Sequence, residues 1–333
     1  MRVIGLLLFA ACSALSAKPT DFNVTIQPLP NEDFVSCHYS LALPDPGNEV
    51  RAVWVIFDRG RDVHDLYRDP KVIAFARRFH IALLLHGHCP GTRPEDHQDM
   101  DMEPDKGLGP ALLRALDRLA QQTHHAELHV ARLVFLGFSG AGALSARLVE
   151  FVPDRTIAAI LSAPGHYDPV GIDTVQLDHR ALAVPELIIA GGNDTVSGTA
   201  RPSEYFRKYR RQLAPWAFVI QNNSPHCCTA NARDLILHWL GEVINQRCPP
   251  GPNIPLRPVD QQAGWLTSLD VQETNIQDSF HLRTFNASRT WIKPVKDTSD
   301  EQQQNAGWVP DRVTARMWMN FVAQQEHPIL PLN

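Results

Sequence analysis

Apolar and polar residues alternate along the chain in a pattern that predicts a series of strands and helices. Residues 22–27 and 34–43 alternate apolar and polar positions, which is typical of half-buried strands. Residues 49–57 form a run rich in β-branched and aromatic side chains, and residues 81–85 form a second apolar run after one helix-like stretch. Strand and helix patterns then take turns as far as a helix at 230–244. This order predicts an α/β fold, with a mostly parallel sheet of about eight strands and helices on both faces.

The pattern changes after Cys248. A proline-rich stretch, PPGPNIPLRP, interrupts it, and the sequence is then polar and irregular as far as Trp308. We therefore expect a main domain at 18–248 and an irregular C-terminal extension at 249–333 that packs on it. In this extension, Trp265, Trp291 and Trp308 either cover the pocket or anchor the segment. A spacing of four residues predicts one face of a short final helix: Val309, Val313, Met317 and Phe321.

The first 17 residues have the order of a secretory signal peptide. Arg2 precedes the apolar run 3–11, and small residues follow. The run is shorter than the roughly 20 residues that a membrane-spanning helix needs, and no later segment is a candidate span. We expect residues 1–17 to direct export, with a lipoprotein site at Cys12 as the lesser alternative.

Composition narrows the range of functions. The chain has 333 residues, 44% of them hydrophobic, and a formal net charge of −5. That content is enough for one large core. Acidic and basic residues are spread throughout, without the basic stripe of a nucleic-acid-binding protein. No nucleic-acid partner and no stable membrane insertion are expected.

Removal of the signal leaves five cysteines: Cys37, Cys89, Cys227, Cys228 and Cys248. An odd number leaves at least one thiol free or paired between chains, and export permits disulfides. One pairing is discounted, because the predicted helix between Cys228 and Cys248 would hold its ends about 25 Å apart, beyond the roughly 7 Å limit for a bridge. The other pairings stay open.

Three residues with complementary chemistry each follow a predicted parallel strand. Ser139 comes after 133–136, Asp194 comes after 185–190, and His226 comes after 216–221. Ligands bind at the carboxyl ends of parallel strands, so we expect these side chains to meet. A serine hydroxyl needs a base such as imidazole, and the imidazole needs a carboxylate to orient it. The sequence therefore predicts a Ser-His-Asp triad.

The residues around Ser139 fit a sharp strand-to-helix turn. In Gly137-Phe138-Ser139-Gly140-Ala141 the positions two away from the serine are both small, as crowding at a nucleophile elbow requires. Ala141 departs from the usual G-x-S-x-G pattern by one methyl group. Asp168 and Asp173 follow the preceding strand and compete with Asp194, which we favour by its position.

With LVFLGFSGAG, GGND and SPH in this order, the chain resembles the α/β-hydrolase superfamily. It looks most like the secreted feruloyl-esterase and polyhydroxybutyrate-depolymerase-like esterases, over residues 22–246. The resemblance implies Ser139 as nucleophile, His226 as general base and acid, and Asp194 as the orienting carboxylate. The implied chemistry needs neither a metal nor an organic cofactor.

An oxyanion hole needs two backbone amides. One is expected from Gly140, at the start of the elbow helix. The other should come from the loop after the third strand. The interval 91–132 has no apolar strand, so 81–85 must be the fourth strand and 49–57 the third. The loop 58–61 then supplies the second amide, which we assign to Arg59.

Two other groups suggest metal ligands but do not predict a site. His86, His88 and Cys89 have no matching ligand cluster elsewhere in the sequence, and structural or pocket-rim roles are favoured. An alternating acidic loop lacks the glycine at the sharp turn of calcium loops, so it is read as a solvated loop: Asp99, Asp101, Glu103 and Asp105.

The predicted function is an exported serine esterase that forms an acyl-enzyme intermediate on a small-molecule or polymer-linked ester. A serine peptidase of the same fold and a non-catalytic cell-surface binding module are the alternatives. The acyl group, the alcohol and the oligomeric state are not predicted.

Overall fold

The computed structural model describes residues 20–58, 60–87, 89–92, 104–165, 176–221, 224–251, 254–268, 271–273, 283–285 and 290–323. The predicted signal peptide, with Cys12, lies outside these residues. Within the described part of the chain, no helix combines the length and apolar character needed to cross a membrane.

Eight strands form the central sheet: β1 Thr20–Ile26, β2 Cys37–Leu43, β3 Ala52–Phe57, β4 Ile81–His86, β5 Arg132–Phe138, β6 Thr156–Ser162, β7 Glu186–Gly191 and β8 Ala217–Gln221. Their order across the sheet is β1-β2-β4-β3-β5-β6-β7-β8. β2 is antiparallel to both of its neighbours, and the pairs from β4 to β8 are parallel. This confirms the predicted mostly parallel sheet, in the strand order of the α/β-hydrolase fold. The run at 81–85 is the fourth strand, as predicted.

The helices that alternate with these strands are α1 Arg61–Arg68, α2 Pro70–Phe79, α3 Leu108–Thr123, α4 Gly140–Phe151, α5 His179–Leu182, α6 Ala200–Arg210 and α7 Arg233–Arg247. The side chains of β3 alternate between two buried clusters. Val53 and Val55 lie in the cluster that contains residues of α3, α4 and α6. Trp54 and Ile56 lie in the cluster that contains residues of α1, α2 and α7. Both faces of the sheet are therefore covered, as parallel strands require.

The turn from α2 into β4 shows how local sequence places a strand. The Asp69 side chain accepts hydrogen bonds from the backbone amides of Lys71 and Val72, and Pro70 occupies the first helical position. At the other end, His80 takes a left-handed conformation with φ 55° and ends the helix. β4 therefore begins at the next residue.

The C-terminal extension is more regular than predicted. It contains β9 Trp265–Ser268, β10 Val271–Glu273, β11 Arg283–Phe285, β12 Trp291–Pro294, α8 Asp300–Asn305, β13 Gly307–Val309 and α9 Arg312–Ala323. β12, β9 and β13 form a three-stranded antiparallel sheet, and β10 pairs with β11. Trp265 and Trp291 are half-buried on the three-stranded sheet.

The predicted face of the final helix is wrong at two of its four positions. Val309 belongs to β13, and Val313 is 51% exposed. The helix begins only at Arg312, and its buried residues include Ala315, Trp318 and Val322, together with the predicted Phe321, which is 7% exposed. The four-residue spacing continued across a strand and a turn, which made it look like one helical stripe.

A buried arginine and two tryptophans attach the extension to the main domain. The Arg210 guanidinium is 1% exposed, and its Nε donates to the Ala306 carbonyl at 2.7 Å. Burial lowers the pKa of Arg210 to about 10, so it stays charged at neutral pH. The Trp318 indole donates to the Phe218 carbonyl on β8 at 2.8 Å. Trp308 is fully buried, and its backbone amide donates to the Trp216 carbonyl of the main domain at 2.7 Å. In addition, residues of α9 lie in one hydrophobic cluster with residues of α2 and α7.

The cysteines form two disulfides in this structure. Cys37 is bonded to Cys89, and Cys227 is bonded to its neighbour Cys228. Cys248 is a buried free thiol. The discounted Cys228–Cys248 pair is indeed absent, because α7 separates the two residues.

A buried carboxyl group at the start of β7 has an electrostatic cost. Glu186 is fully buried, and its Oε2 has no hydrogen-bond partner among the described residues. Its Oε1 accepts only a long hydrogen bond of 3.5 Å from the Tyr205 hydroxyl. Burial raises the pKa of Glu186 well above its ordinary value of 4.5.

We expect Glu186→Gln to raise the free energy of unfolding at pH 8 and to leave it nearly unchanged at pH 4. With a folded-state pKa above 4.5, the stabilising effect of the neutral carboxyl is complete below that pH. It is lost at about 1.4 kcal/mol per pH unit as the pH rises toward the folded-state pKa. Urea unfolding at both pH values measures the difference. Glu49→Gln makes the same substitution at an exposed position and is the control. Equal stabilities of Glu186→Gln and wild type at pH 8 would contradict the prediction.

Candidate active site

The structure brings together the three residues predicted to form a triad. Ser139 follows β5, Asp194 follows β7, and His226 follows β8. The Ser139 Oγ lies 2.9 Å from His226 Nε2, and His226 Nδ1 lies 2.8 Å from Asp194 Oδ2. Both distances are within hydrogen-bond range. The serine hydroxyl, the imidazole and the carboxylate therefore form one continuous chain of hydrogen bonds.

Ser139 occupies a strained turn between β5 and α4. Its backbone has φ 57° and ψ −128°, a region that residues with a side chain rarely adopt. The Ser139 amide donates to the Ser162 carbonyl at 2.9 Å, and the Ser139 carbonyl accepts from Gly142 and Gly165 at 2.8 and 3.0 Å. These bonds hold the serine at the tip of the turn, 9% exposed.

The two small positions around the serine are not equivalent. A Cβ on Gly137 would lie 1.9 Å from the Ala141 carbonyl oxygen and 2.5 Å from Ser145 Oγ. The main chain of the helix fills that space, so only glycine fits. The methyl group of Ala141 is instead accommodated in the hydrophobic cluster, 2% exposed. The departure from the G-x-S-x-G pattern therefore falls at the position that tolerates it.

We expect Gly137→Ala to lower the free energy of unfolding by about 3 kcal/mol or more, because its methyl group overlaps backbone atoms that cannot move aside. Ala141→Gly restores the full pattern and should cost less, about 1 to 2 kcal/mol, from the usual cost of glycine in a helix and the loss of one buried methyl group. Urea unfolding of the two variants measures the contrast. Equal losses of stability would show that the Gly137 position is not specially crowded.

Asp194 is fully buried and its carboxylate is fully engaged. Oδ1 accepts hydrogen bonds from the amides of Val196 and Ser197 at 2.8 and 2.9 Å, which leaves Oδ2 for the imidazole. The competing Asp168 and Asp173 lie outside the described residues. Asp194 is thus the carboxylate that the structure places on His226.

The loop that carries His226 lies against the end of β7. The Asn193 amide donates to the Ser224 carbonyl at 2.9 Å. A Cβ on Gly191 would lie 2.7 Å from the carbonyl oxygens of Ser224 and Pro225. Glycine at this position lets the histidine loop approach close enough for the imidazole to reach Asp194.

Sequence reasoning missed two residues that shape this site. The Phe138 ring lies 4.7 Å from the His226 ring, centroid to centroid, and restricts its orientation. A Cβ on Gly165 would lie 3.8 Å from Ser139 Oγ and 2.6 Å from Ser197 Oγ, so Gly165 leaves space beside the Ser139 hydroxyl. Phe138 stands inside the quoted motif, and its place before the serine was an available signal. Gly165 carries no comparable signal.

Only one predicted oxyanion donor is described. Gly140 is the first residue of α4, where backbone N–H groups lack helical partners. Arg59 lies outside the described residues. Its neighbour Asp58 directly follows β3, which pairs with β5, and the Asp58 amide donates to the His86 carbonyl at 2.9 Å. The loop predicted to supply the second amide therefore begins on the strand next to the elbow.

The suggested metal groups have other surroundings. His86 is 2% exposed and packs between the rings of Tyr39 and Phe57, with centroid distances of 4.9 and 4.8 Å, in keeping with a structural role. His88 and most of the acidic loop lie outside the described residues: Asp99, Asp101 and Glu103.

Among the described residues, one group has the donors and spacing for a metal ion. His238, Glu242 and Asp311 offer ligand atoms within 4.8 Å of one another. They lie between α7 and the start of α9, and they are not part of the hydrogen-bonded chain at Ser139.

Comparisons with known proteins concern the fold. No family model matches the chain, and no curated protein matches it. The chain is similar to a solved poly(3-hydroxybutyrate) depolymerase from Bordetella parapertussis, with 17% identity, 70% of this chain and 92% of that chain covered, and a TM-score of 0.46. It is also similar to a ferulic acid esterase, with 11% identity, 69% and 99% coverage, and a TM-score of 0.49. A third likeness is to an S-formylglutathione hydrolase from Staphylococcus aureus, with 12% identity, 69% and 100% coverage, and a TM-score of 0.47. The strand order of the central sheet, β1-β2-β4-β3-β5-β6-β7-β8, defines the fold independently of these values.

Proposed function

We propose that this protein is an exported serine hydrolase that cleaves carboxylic esters through an acyl-enzyme intermediate. The observation that carries the proposal is the hydrogen-bonded chain from Ser139 through His226 to Asp194, with distances of 2.9 and 2.8 Å. A nucleophile, a base and an orienting carboxylate in this order are the arrangement that activates a serine hydroxyl.

Each residue has one task in the proposed reaction. The Ser139 Oγ attacks the ester carbonyl while His226 Nε2 accepts the hydroxyl proton. Asp194 stabilises the resulting imidazolium, and the amides of Gly140 and Arg59 bind the oxyanion. His226 then donates its proton to the leaving alcohol, which gives an ester of Ser139 with the acyl group. A water molecule deprotonated by His226 hydrolyses this ester, releases the acid and regenerates the serine.

Geometry favours catalysis over a binding-only role. A strained φ of 57° at Ser139 persists only where the surrounding structure enforces it. The Asp194 carboxylate is buried, and in addition to its contact with His226 it accepts hydrogen bonds from the amides of Val196 and Ser197. A binding module has no use for this alignment.

The experiment is a hydrolysis panel that spans acetyl, butyryl, feruloyl and 3-hydroxybutyryl esters, together with a matched peptide amide. A serine-directed phosphonate, applied before the assay, should abolish hydrolysis and become attached to Ser139. Amide cleavage without ester cleavage would favour the peptidase alternative. Binding to wall polysaccharide with no turnover and no phosphonate labelling would favour the binding module.

The proposed partner is an ester substrate, either a small molecule or a polymer-linked ester, and the proposed chemistry uses no metal or organic cofactor. Export is part of the proposal because the order of residues 1–17 is that of a signal peptide. Fractionation of cells that express the full chain tests it, and the proposal requires a mature chain without these residues outside the cytoplasm.

A further inference from the structure

Two adjacent cysteines directly follow the triad histidine and are bonded to each other. The Cys227–Cys228 disulfide begins one residue after His226. Because the bond joins neighbouring residues, it closes a small ring that includes the peptide between them. It therefore adds no long-range link between parts of the fold, and its effect is on the local backbone.

That backbone has an unfavourable conformation at its second residue. Cys228 has φ 75° and ψ 34°, a left-handed conformation that non-glycine residues seldom adopt. Such a conformation persists where the surrounding structure over-determines it. The ring formed with Cys227 is a covalent restraint on this same segment.

The segment 227–229 is connected by hydrogen bonds to the loop of His226 and to Ser162, which holds Ser139. On the side of His226, the Cys227 amide donates to the Pro225 carbonyl at 2.8 Å. On the other side, the Thr229 and Ser162 hydroxyls are 2.7 Å apart and buried. The Ser162 carbonyl in turn accepts the amide of Ser139. A change of conformation at Cys228 would therefore move His226 relative to the residue that holds the nucleophile.

We propose that the Cys227–Cys228 disulfide positions His226, so that its reduction lowers the turnover number. This inference rests on the proposed function. In the step itself, an external dithiol is oxidised to its disulfide and supplies two electrons and two protons. The S–S bond breaks, and Cys227 and Cys228 become thiols. Cys228 can then leave the left-handed conformation, and the Ser139–His226 hydrogen bond lengthens.

The Cys227–Cys228 disulfide is more accessible to solvent than the Cys37–Cys89 disulfide. Cys227 is half-buried, whereas both sulfur-bearing residues of the Cys37–Cys89 disulfide are 0% exposed. A thiolate must reach a sulfur atom in order to attack it. A mild dithiol should therefore reduce Cys227–Cys228 first, and mass spectrometry after alkylation identifies the modified residues.

The test compares two double variants that both lack the disulfide. Cys227→Ala with Cys228→Ala keeps a side chain at the left-handed position, whereas Cys227→Ala with Cys228→Gly allows that φ without strain. We expect the alanine pair to lower kcat on an ester by about 10- to 100-fold, since small misplacements of reacting groups have effects of this size. The glycine pair should recover at least about 5-fold of that loss. KM should change little in either variant, because the disulfide does not act through substrate binding.

Matched controls separate positioning from general damage. Cys248→Ser removes the buried free thiol and should leave kcat unchanged, and the melting temperature shows whether each variant is folded. Reduction of wild type should reproduce the kcat of the alanine pair. Folded alanine and glycine pairs with equal kcat values, or with wild-type kcat, would overturn the proposal.

A second readout does not require turnover. The proton on His226 Nδ1, bonded to Asp194, gives a low-field proton resonance, which reduction should shift or broaden. If wild type hydrolyses no ester but the resonance responds to reduction, the proposed function fails and the positioning role stands. If wild type is active and neither kcat nor the resonance responds, the positioning role fails alone.

Discussion

Replacing Ser139 by alanine should lower kcat on any ester substrate by about 10⁵-fold, to the level that binding and the oxyanion donors sustain without a nucleophile. The reason is geometric. Ser139 Oγ is the hydroxyl that His226 Nε2 contacts, at 2.9 Å. No acyl-enzyme can form in its absence. Steady-state kinetics on the best ester of the panel measures the loss, and phosphonate labelling should disappear with it.

Ser145→Ala is the matched control for this variant. The Ser145 hydroxyl is also buried on α4, but it donates to the Ala141 carbonyl in its own helix and has no role in the proposed reaction. We expect this variant to keep kcat within about 3-fold and to retain phosphonate labelling. If Ser139→Ala turned over substrate at the rate of Ser145→Ala, Ser139 would not be the nucleophile and the proposed mechanism would be wrong.

The positions of these groups were accessible from sequence because one rule governs them. Side chains that follow parallel strands meet at one edge of the sheet. Apolar runs located the strands well enough to place Ser139, Asp194 and His226 together. Their hydrogen-bond distances of 2.9 and 2.8 Å are supplied by the structure. Strand 81–85 was placed by elimination, and β4 confirms it.

The extension was harder to predict because its elements depend on distant partners. β9 and β13 pair across some forty residues of chain, and each has at most four residues. Such short strands carry little periodicity of their own. The attachment of the extension depends in part on Arg210, one of four basic residues close together in the sequence: Arg207, Lys208, Arg210 and Arg211. The Arg210 guanidinium donates to a carbonyl nearly a hundred residues away.

The cysteines show a different limit. Spacing excluded one pairing because a helix has a known length. Spacing could not predict a disulfide between the neighbouring residues Cys227 and Cys228, since that bond accompanies an unusual backbone conformation at Cys228. The neighbouring contacts, of the histidine loop with the end of β7 and of Thr229 with Ser162, also exist only in the folded chain.

Asp194→Asn should lower kcat by about 10⁴-fold while the fold and the positions of the other groups are retained. The asparagine Oδ1 can keep the amide bonds from Val196 and Ser197, which places its NH₂ group against His226 Nδ1. An NH₂ group donates a hydrogen bond, so the imidazole must accept at Nδ1 and carry its proton on Nε2. That tautomer cannot take the proton of Ser139. Steady-state kinetics and phosphonate labelling should show parallel losses of kcat and of labelling. The melting temperature should stay within a few degrees of that of wild type.

The same substitution at the competing carboxylates makes this prediction specific. Asp168 and Asp173 follow the preceding strand in the sequence. Their substitution by asparagine should keep kcat within about 3-fold, because the structure places Asp194 Oδ2 at 2.8 Å from the imidazole. A large loss at Asp168 or Asp173 together with an active Asp194→Asn would transfer the orienting role to that residue. Equal losses at two of these positions would mean that two carboxylates share the role. A loss confined to Asp194 leaves one explanation, which is that its carboxylate sets the tautomer of His226.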